Sequence, residues 1–175
     1  MNPIFIVVGP PAVGKSTTSR TLAAHFPRSI HIPVDDLRNM VVGGIEYPGE
    51  IWTDGLKQQI TLARGCAAHM ALAYHDAGFA VVIDDFWDAN HDSDYQALHA
   101  LPHRILLYPS QSEAHRRNFQ RSGDSPARAY IDEGIQQVYA QLNPVIQRLA
   151  DAGWRILDTT DLSVEATVAS ILEQR

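Results

Sequence analysis

Cysteine and lysine are nearly missing from this chain of 175 residues, which holds one cysteine, Cys66, and two lysines, Lys15 and Lys57. A lone cysteine excludes an intramolecular disulfide framework and a cysteine-built zinc cluster, and it fits a reducing cytoplasm. Because arginine is the usual cation here, each lysine calls for a reason. Basic runs and basic amphipathic stretches are lacking too and the net charge is −6, so the electrostatic footprint of a nucleic-acid or anionic-lipid partner is absent. No apolar run has membrane length. The N-terminal one, Ile4 to Val8, has no basic flank and is far too short for a signal peptide or a span. Eight histidines are scattered without a metal-site spacing such as HExxH, and no GxSxG elbow occurs. The partner these absences leave is a small molecule.

What is present points to one α/β domain spanning 1–175. A hydrophobic content of 45% in a chain of this length is enough for one sizeable core. Apolar runs of strand length alternate with longer segments of helical period, the pattern of a parallel sheet covered by helices on both faces. Five strands are expected, at Ile4–Val8, Ile30–Val34, Ala80–Ile83, Arg104–Tyr108 and Trp154–Leu157. Helices are expected from the Gly14–Thr17 turn to about Phe26, briefly after Asp35, from about Thr53 to Asp76, and in a short piece between Asp88 and Leu101. Further helices should run from an S-x-x-E capping box at Ser110–Glu113 to Arg121, from Pro126 to just before Gly153, and from Ser163 to Glu173. No internal repeat, low-complexity tract or interdomain linker interrupts this order.

The strongest local signal is Gly9-Pro10-Pro11-Ala12-Val13-Gly14-Lys15-Ser16, which matches G-x-x-x-x-G-K-S/T directly after an expected strand and directly before an expected helix. A loop of this spacing wraps an anion, because backbone N–H groups turn inward where glycine removes the obstructing Cβ. The helix N-terminus adds its partial positive charge beneath the phosphates. Lys15 then neutralises β- and γ-phosphate oxygens and the Ser16 hydroxyl becomes a Mg²⁺ ligand, so ATP and Mg²⁺ are the expected cofactors. Gly9 through Thr17 is the expected nucleotide cradle.

Three shorter motifs follow in order: Val34-Asp35-Asp36-Leu37-Arg38, Val81-Val82-Ile83-Asp84-Asp85 and Arg117-x-x-x-Arg121. With the phosphate loop they make nearly the whole chain resemble the small nucleoside-monophosphate-kinase-like P-loop group. Its small-molecule phosphotransferases are the nearest in motif: chloramphenicol phosphotransferase, tunicamycin-resistance proteins, and gluconate or shikimate kinases. The resemblance implies the P-loop NTPase fold with a short helical lid over 117–128. It implies transfer of the γ-phosphoryl group of ATP to a hydroxyl of a small molecule.

By the same resemblance Asp35 matches the acid beside the acceptor, where a carboxylate takes the proton of the attacking hydroxyl. Arg38 would hold a polar or anionic part of the acceptor. Asp84 takes the place of the Mg²⁺-binding acid at a strand end. Arg117 would lie against the adenine, Arg121 would reach the phosphates, and Arg128 would close from the far side. Leu157 to Asp161 would wrap the adenine. Plain readings stand beside each of these. Asp35 or Asp36 caps the next helix, Asp84 is a cap or loop former, the arginines are a solvated face, and Leu157 to Asp161 is an N-cap turn before the last helix.

The acceptor is expected between Asp35 and the segment 40–52, with Tyr47 and Trp52 as contact residues and Asp85 facing it from the third strand's edge. Met40, Val41, Val42 and Ile45 add apolar surface, Glu46 and Glu50 add hydrogen-bond acceptors, and no cation occurs between Arg38 and Lys57. That content suits a neutral or weakly polar alcohol better than a phosphorylated one; alternatively the apolar residues are ordinary core. An antibiotic-inactivating phosphotransferase would use the same chemistry. A regulatory ATPase is the reading from another class, against which stand the absence of a GTPase N/T-K-x-D box and the lack of room for an effector domain.

Overall fold

The structure is a computed structural model and describes residues 2–49, 52–88, 91–99 and 101–173. Five strands form one parallel sheet in the order β2-β3-β1-β4-β5, with β1 at Ile4–Val8, β2 at Ser29–Pro33, β3 at Ala80–Asp84, β4 at Pro102–Leu107 and β5 at Arg155–Leu157. All five expected strands are present. Trp154 falls just outside β5, where it packs into the core.

The central strand β1 is apolar along its whole length because helices cover both faces. Each residue of β1 is at most 1% exposed. Ile4, Ile6 and Val8 point to one face and meet Val81, Ile83 and Leu106 beneath the alanine-rich side of α3, Asp54–Asp76. Phe5 and Val7 point to the other and meet Val82, Ile105 and Leu107. That second layer holds α1 (Lys15–Ala24), α6 (Ala127–Leu142) and α8 (Val164–Glu173), through Leu22, Ile135 and Ile171 among others. Each large aliphatic side chain so buried contributes about 1.5–3 kcal/mol relative to exposure.

The remaining helices are α2 at Val34–Asn39, α4 at His91–Asp94, α5 at Gln111–Ser122 and α7 at Ile146–Asp151. Three expectations are corrected and the short helix between Asp88 and Leu101 is present. α1 ends at Ala24, two residues short of Phe26. The helix expected from Pro126 to Gly153 is broken into α6 and α7 by a 3₁₀ turn at Asn143–Val145, since Pro144 has no N–H to continue the ladder. α2 begins at Val34, so Asp35 and Asp36 occupy its first turn and neither is its cap. The piece between Asp88 and Leu101 is α4 followed by a 3₁₀ turn at Gln96–Leu98, part of the expected range lying outside the described residues.

Every strand runs with its C-terminal end toward one edge, and the order reverses on either side of β1. Such a switch point leaves a crevice beyond the strand ends, with the turn after β1 at its centre.

Candidate active site

The turn after β1 is the phosphate loop. Gly9 leaves the strand where an added Cβ would stand 2.5 Å from the Leu107 carbonyl oxygen, so the loop can pass β4 only without a side chain. Gly14 caps α1 at φ 94°, a left-handed conformation, and a Cβ there would meet nothing within 4 Å. A side chain at that position would therefore meet no steric obstacle, only a strained backbone. Lys15 opens the helix and donates from Nζ to the Pro10 carbonyl at 3.0 Å, folding back across the loop it closes. Ser16 and Thr17 follow on the exposed side of the first turn.

Lys15 lies within electrostatic reach of three carboxylates. Burial pushes its pKa below the ordinary lysine value, while Asp84, Asp35 and Asp85 oppose that shift and Arg121 reinforces it. Asp84 ends β3, is 5% exposed, and lies 3.5 Å from His31 Nε2 of the neighbouring strand. Asp35 projects from α2 with its side chain still 65% exposed and 3.9 Å from Arg38. Desolvation in the crevice raises the Asp35 pKa above the usual carboxylate value, against the pull of Arg38 and Lys15. Of the two adjacent acids, Asp35 is the one coupled to Lys15 and Asp84. Arg38 is buried, with Nε and Nη1 lacking any hydrogen-bond partner among the described residues.

The expected nucleotide side is a cleft of about 510 Å³ whose walls include Gly14, Thr17, Arg117, Gln120, Thr160 and Asp161. Arg117 donates to the Val13 carbonyl at 3.0 Å, to the Thr159 carbonyl at 2.6 Å and to Glu113 at 2.7 Å, so it stitches phosphate loop, α5 and the turn after β5 together. Arg121 makes no hydrogen bond or ion pair with a described residue, yet it is near enough to Lys15 to depress the lysine's pKa. Arg128 departs from expectation. Its guanidinium closes the α5–α6 turn, donating to the Gly123 carbonyl at 3.1 Å and lying over Phe119, and so does not reach toward the phosphates. The capping box is likewise half formed. Ser110 Oγ accepts from the Glu113 N–H at 3.3 Å, but Glu113 is drawn to Arg116 and Arg117, leaving the Ser110 N–H to Thr160 Oγ1 at 2.8 Å.

On the acceptor side Met40, Val42 and Tyr47 are exposed at 70%, 100% and 67%, which removes the reading that they are core. The segment is anchored by other groups. Glu46 accepts from Thr53, Gln59 bonds both the Glu46 N–H and the Gly44 carbonyl, and Tyr130 of α6 donates to the Pro48 carbonyl at 2.9 Å. Trp52 stands edge-on to Phe86, while Glu50 lies outside the described residues. Asp85 is a correction. Its carboxylate is fully buried and bonded to Arg64 at 2.7 Å and Tyr95 at 3.2 Å, because successive side chains of an extended strand end point to opposite faces, and only Asp84 faces the crevice.

Two site residues went unread in the sequence. His31 had no signal beyond its place two residues before the end of an apolar strand. Arg64 had one, as the single charge in the buried stripe Ile60-Ala63-Ala67-Ala68-Ala71 of α3.

Similar folds occur among solved structures. The tunicamycin resistance protein of Deinococcus radiodurans superposes with a TM-score of 0.70 at 19% identity, covering 99% of this chain and 95% of that one. An unliganded sugar kinase from Janibacter sp. gives 0.69 at 17% identity, covering 99% and 94%. Shikimate kinase from Acinetobacter baumannii, in complex with shikimate, gives 0.67 at 15% identity, covering 99% and 92%. Comparison with curated protein sequences gave no match. At these identities the likeness speaks to the fold, a P-loop kinase-like α/β domain. Residues 4–133, most of the chain, match the model of a family described as the AAA domain, and the chain belongs to that family of P-loop domains.

Proposed function

We propose that this chain is an ATP- and Mg²⁺-dependent phosphotransferase that moves the γ-phosphoryl group to a hydroxyl of a small molecule. One observation carries the reading: Lys15, at the mouth of an anion-wrapping loop, lies within electrostatic reach of both Asp35 and Asp84, carboxylates from two different elements. A phosphate-binding cation, a proton acceptor and a metal-binding acid are the three groups that in-line phosphoryl transfer requires.

The left-handed turn at Gly14, directly before the Lys15 that opens α1, suits a phosphate at the helix N-terminus. Among the described residues no group of three or more His, Cys, Asp or Glu can hold a metal. One hydroxyl and one carboxylate, Ser16 and Asp84, are the partial donor set that suits Mg²⁺ when phosphate oxygens and water complete the shell. Mg²⁺ bound there would neutralise charge on the β- and γ-oxygens. Lys15 would hold the same oxygens from the loop side. Asp35 would orient the acceptor hydroxyl and take its proton as the new P–O bond forms and the bond to the ADP oxygen breaks. Arg121, unpaired among the described residues and within electrostatic reach of Lys15, would spread the charge of the group in transit, with 117–128 as the lid that carries it.

The acceptor would sit among Asp35, Arg38, Tyr47 and Trp52. The exposed Met40, Val42 and Tyr47 support a body that is largely apolar, and Arg38 supports one polar or anionic oxygen on it. An antibiotic acceptor has one observation of its own in its favour, the fold shared with a tunicamycin resistance protein. Host survival with and without the gene, across hydroxylated antibiotics, separates that case from a metabolite kinase. ATP consumed only on stimulation by a protein partner, with no alcohol labelled, would instead support a regulatory ATPase. The exposed thiol of Cys66 suits a reducing cytoplasm.

The test is ³¹P NMR of ATP and Mg²⁺ with a mixed library of alcohols and antibiotics. A new phosphate-ester resonance that depends on Lys15 is the expected result. A Lys15→Ala protein that bound and turned over ATP normally would overturn the proposal.

A further inference from the structure

The Arg64 guanidinium is fully buried in α3, yet it meets three carboxylates from two segments. Its Nε donates to Asp85 at 2.7 Å, and its Nη1 lies 2.9 Å from both Asp88 and Asp94. Its Nη2 donates to the Phe86 carbonyl at 3.1 Å, and the cation rests 4.7 Å from the centroid of the Phe86 ring. His91 and Tyr95 crowd the same Asp85 oxygen that Arg64 holds, at 3.3 and 3.2 Å, while the other oxygen accepts from the Phe86 N–H at 2.8 Å. Buried ion clusters are poor devices for stability, because apolar residues of similar volume usually do as well once desolvation is counted. What a planar five-donor fork supplies is fixed geometry.

The geometry fixed here is that of Asp85, Phe86 and Asp88, in the stretch directly after Asp84. Asp85 is held at both ends, its N–H on the Val7 carbonyl at 3.1 Å and its carboxylate on Arg64. Pinned in this way on the residue after it, Asp84 has little freedom to swing on the opposite face of the strand end. We propose that Arg64 is a positioning residue, whose grip on Asp85 and Phe86 aims the Asp84 carboxylate at the metal that accompanies the nucleotide. The inference rests on the nucleotide site proposed above.

Mn²⁺ binding, followed by electron paramagnetic resonance with a non-hydrolysable ATP analogue present, tests it without reliance on turnover. Arg64→Lys keeps the charge and loses the fork; Asp85→Asn keeps the shape and loses the ion pair. Both are expected to weaken Mn²⁺ binding by about 10–100-fold, as loss of outer-shell support does at metal sites, while affinity for the metal-free analogue stays as in the unaltered protein. Asp94→Asn, which leaves the Asp85 and Phe86 bonds in place, should shift Mn²⁺ binding much less. If Arg64→Lys fails to fold, the near-isosteric Asp85→Asn decides. Lowered melting temperature with unchanged Mn²⁺ affinity in Arg64→Lys or Asp85→Asn would reduce the cluster to a packing device and overturn the inference. Failure of the unaltered protein to bind the analogue at all would instead refute the nucleotide site.

Discussion

Arg117 donates to the carbonyl oxygen of Val13 across a sequence separation of 104 residues, at 3.0 Å, and thereby ties α5 to the phosphate loop. The same side chain reaches Thr159 at 2.6 Å. One guanidinium therefore sets the width of the cleft between the loop that would hold the phosphates and the turn that would hold the base. Its bonds are structural, and its place at that cleft is tested by substitution.

Arg117→Lys should consequently weaken ATP binding more than it slows turnover. A lysine cannot bond Val13, Thr159 and Glu113 together, and each lost hydrogen bond from a charged donor is worth about 1.5–3 kcal/mol, a change of roughly 10–100-fold. Steady-state kinetics should show the KM for ATP rising by that factor with a smaller change in kcat. A fall in kcat with KM unchanged would place Arg117 in the transition state instead.

Asp35→Asn should lower kcat by about 10²–10⁴-fold, the usual weight of a general base, and leave nucleotide affinity unchanged. The pH profile carries a sign. Desolvation raises the Asp35 pKa, and a base works only when deprotonated. The rate should therefore fall as pH drops through a midpoint above the ordinary carboxylate range, and Asp35→Asn should abolish that limb. A profile flat down to the ordinary carboxylate value would remove Asp35 from the proton transfer.

Glu113 gives an acid-stability prediction. Hydrogen bonds from Arg116, with Arg117 adding to them, hold its pKa down from 4.5 to about 2. A depressed carboxylate pKa stabilises the fold above the unfolded value, and that contribution is lost as pH falls through the folded one. Melting temperature should decline between about pH 4.5 and pH 2. Glu113→Gln should flatten that part of the decline. An unaltered slope in the variant would show that the pair is screened by solvent and contributes nothing.

What could be read in advance follows from how local each signal is. All five strands and the phosphate loop were legible because their information lies in consecutive residues: an apolar run, a glycine spacing, a lysine in a chain that hardly uses lysine. The break of the sixth helix was legible too in principle, since Pro144 marks it. The partners of Asp85 were not. Adjacent acids at a strand end look alike in sequence, and only the packing of α3 against β3 brings Arg64 to one of them. The capping box failed similarly, because Arg116 and Arg117, three and four residues along the helix, compete for Glu113 more strongly than a neutral backbone N–H does.

The two loop glycines should fail differently when changed to alanine. At Gly9 a methyl group would lie 2.5 Å from the Leu107 carbonyl oxygen, which belongs to a central strand and cannot give way. Gly9→Ala should therefore cost about 1–3 kcal/mol in overpacking, lowering the melting temperature by several degrees in a chain of this size. At Gly14 the methyl group meets no protein atom, so the cost is that of placing alanine at φ 94°, about 1–2 kcal/mol. That strain falls on the proposed phosphate cradle and not on the core. Gly14→Ala should keep its fold yet lose the rise in melting temperature that ATP gives the unaltered protein. A thermal-shift series with and without ATP reads both quantities at once, and a Gly14→Ala protein still stabilised by ATP would mean that the phosphates rest elsewhere.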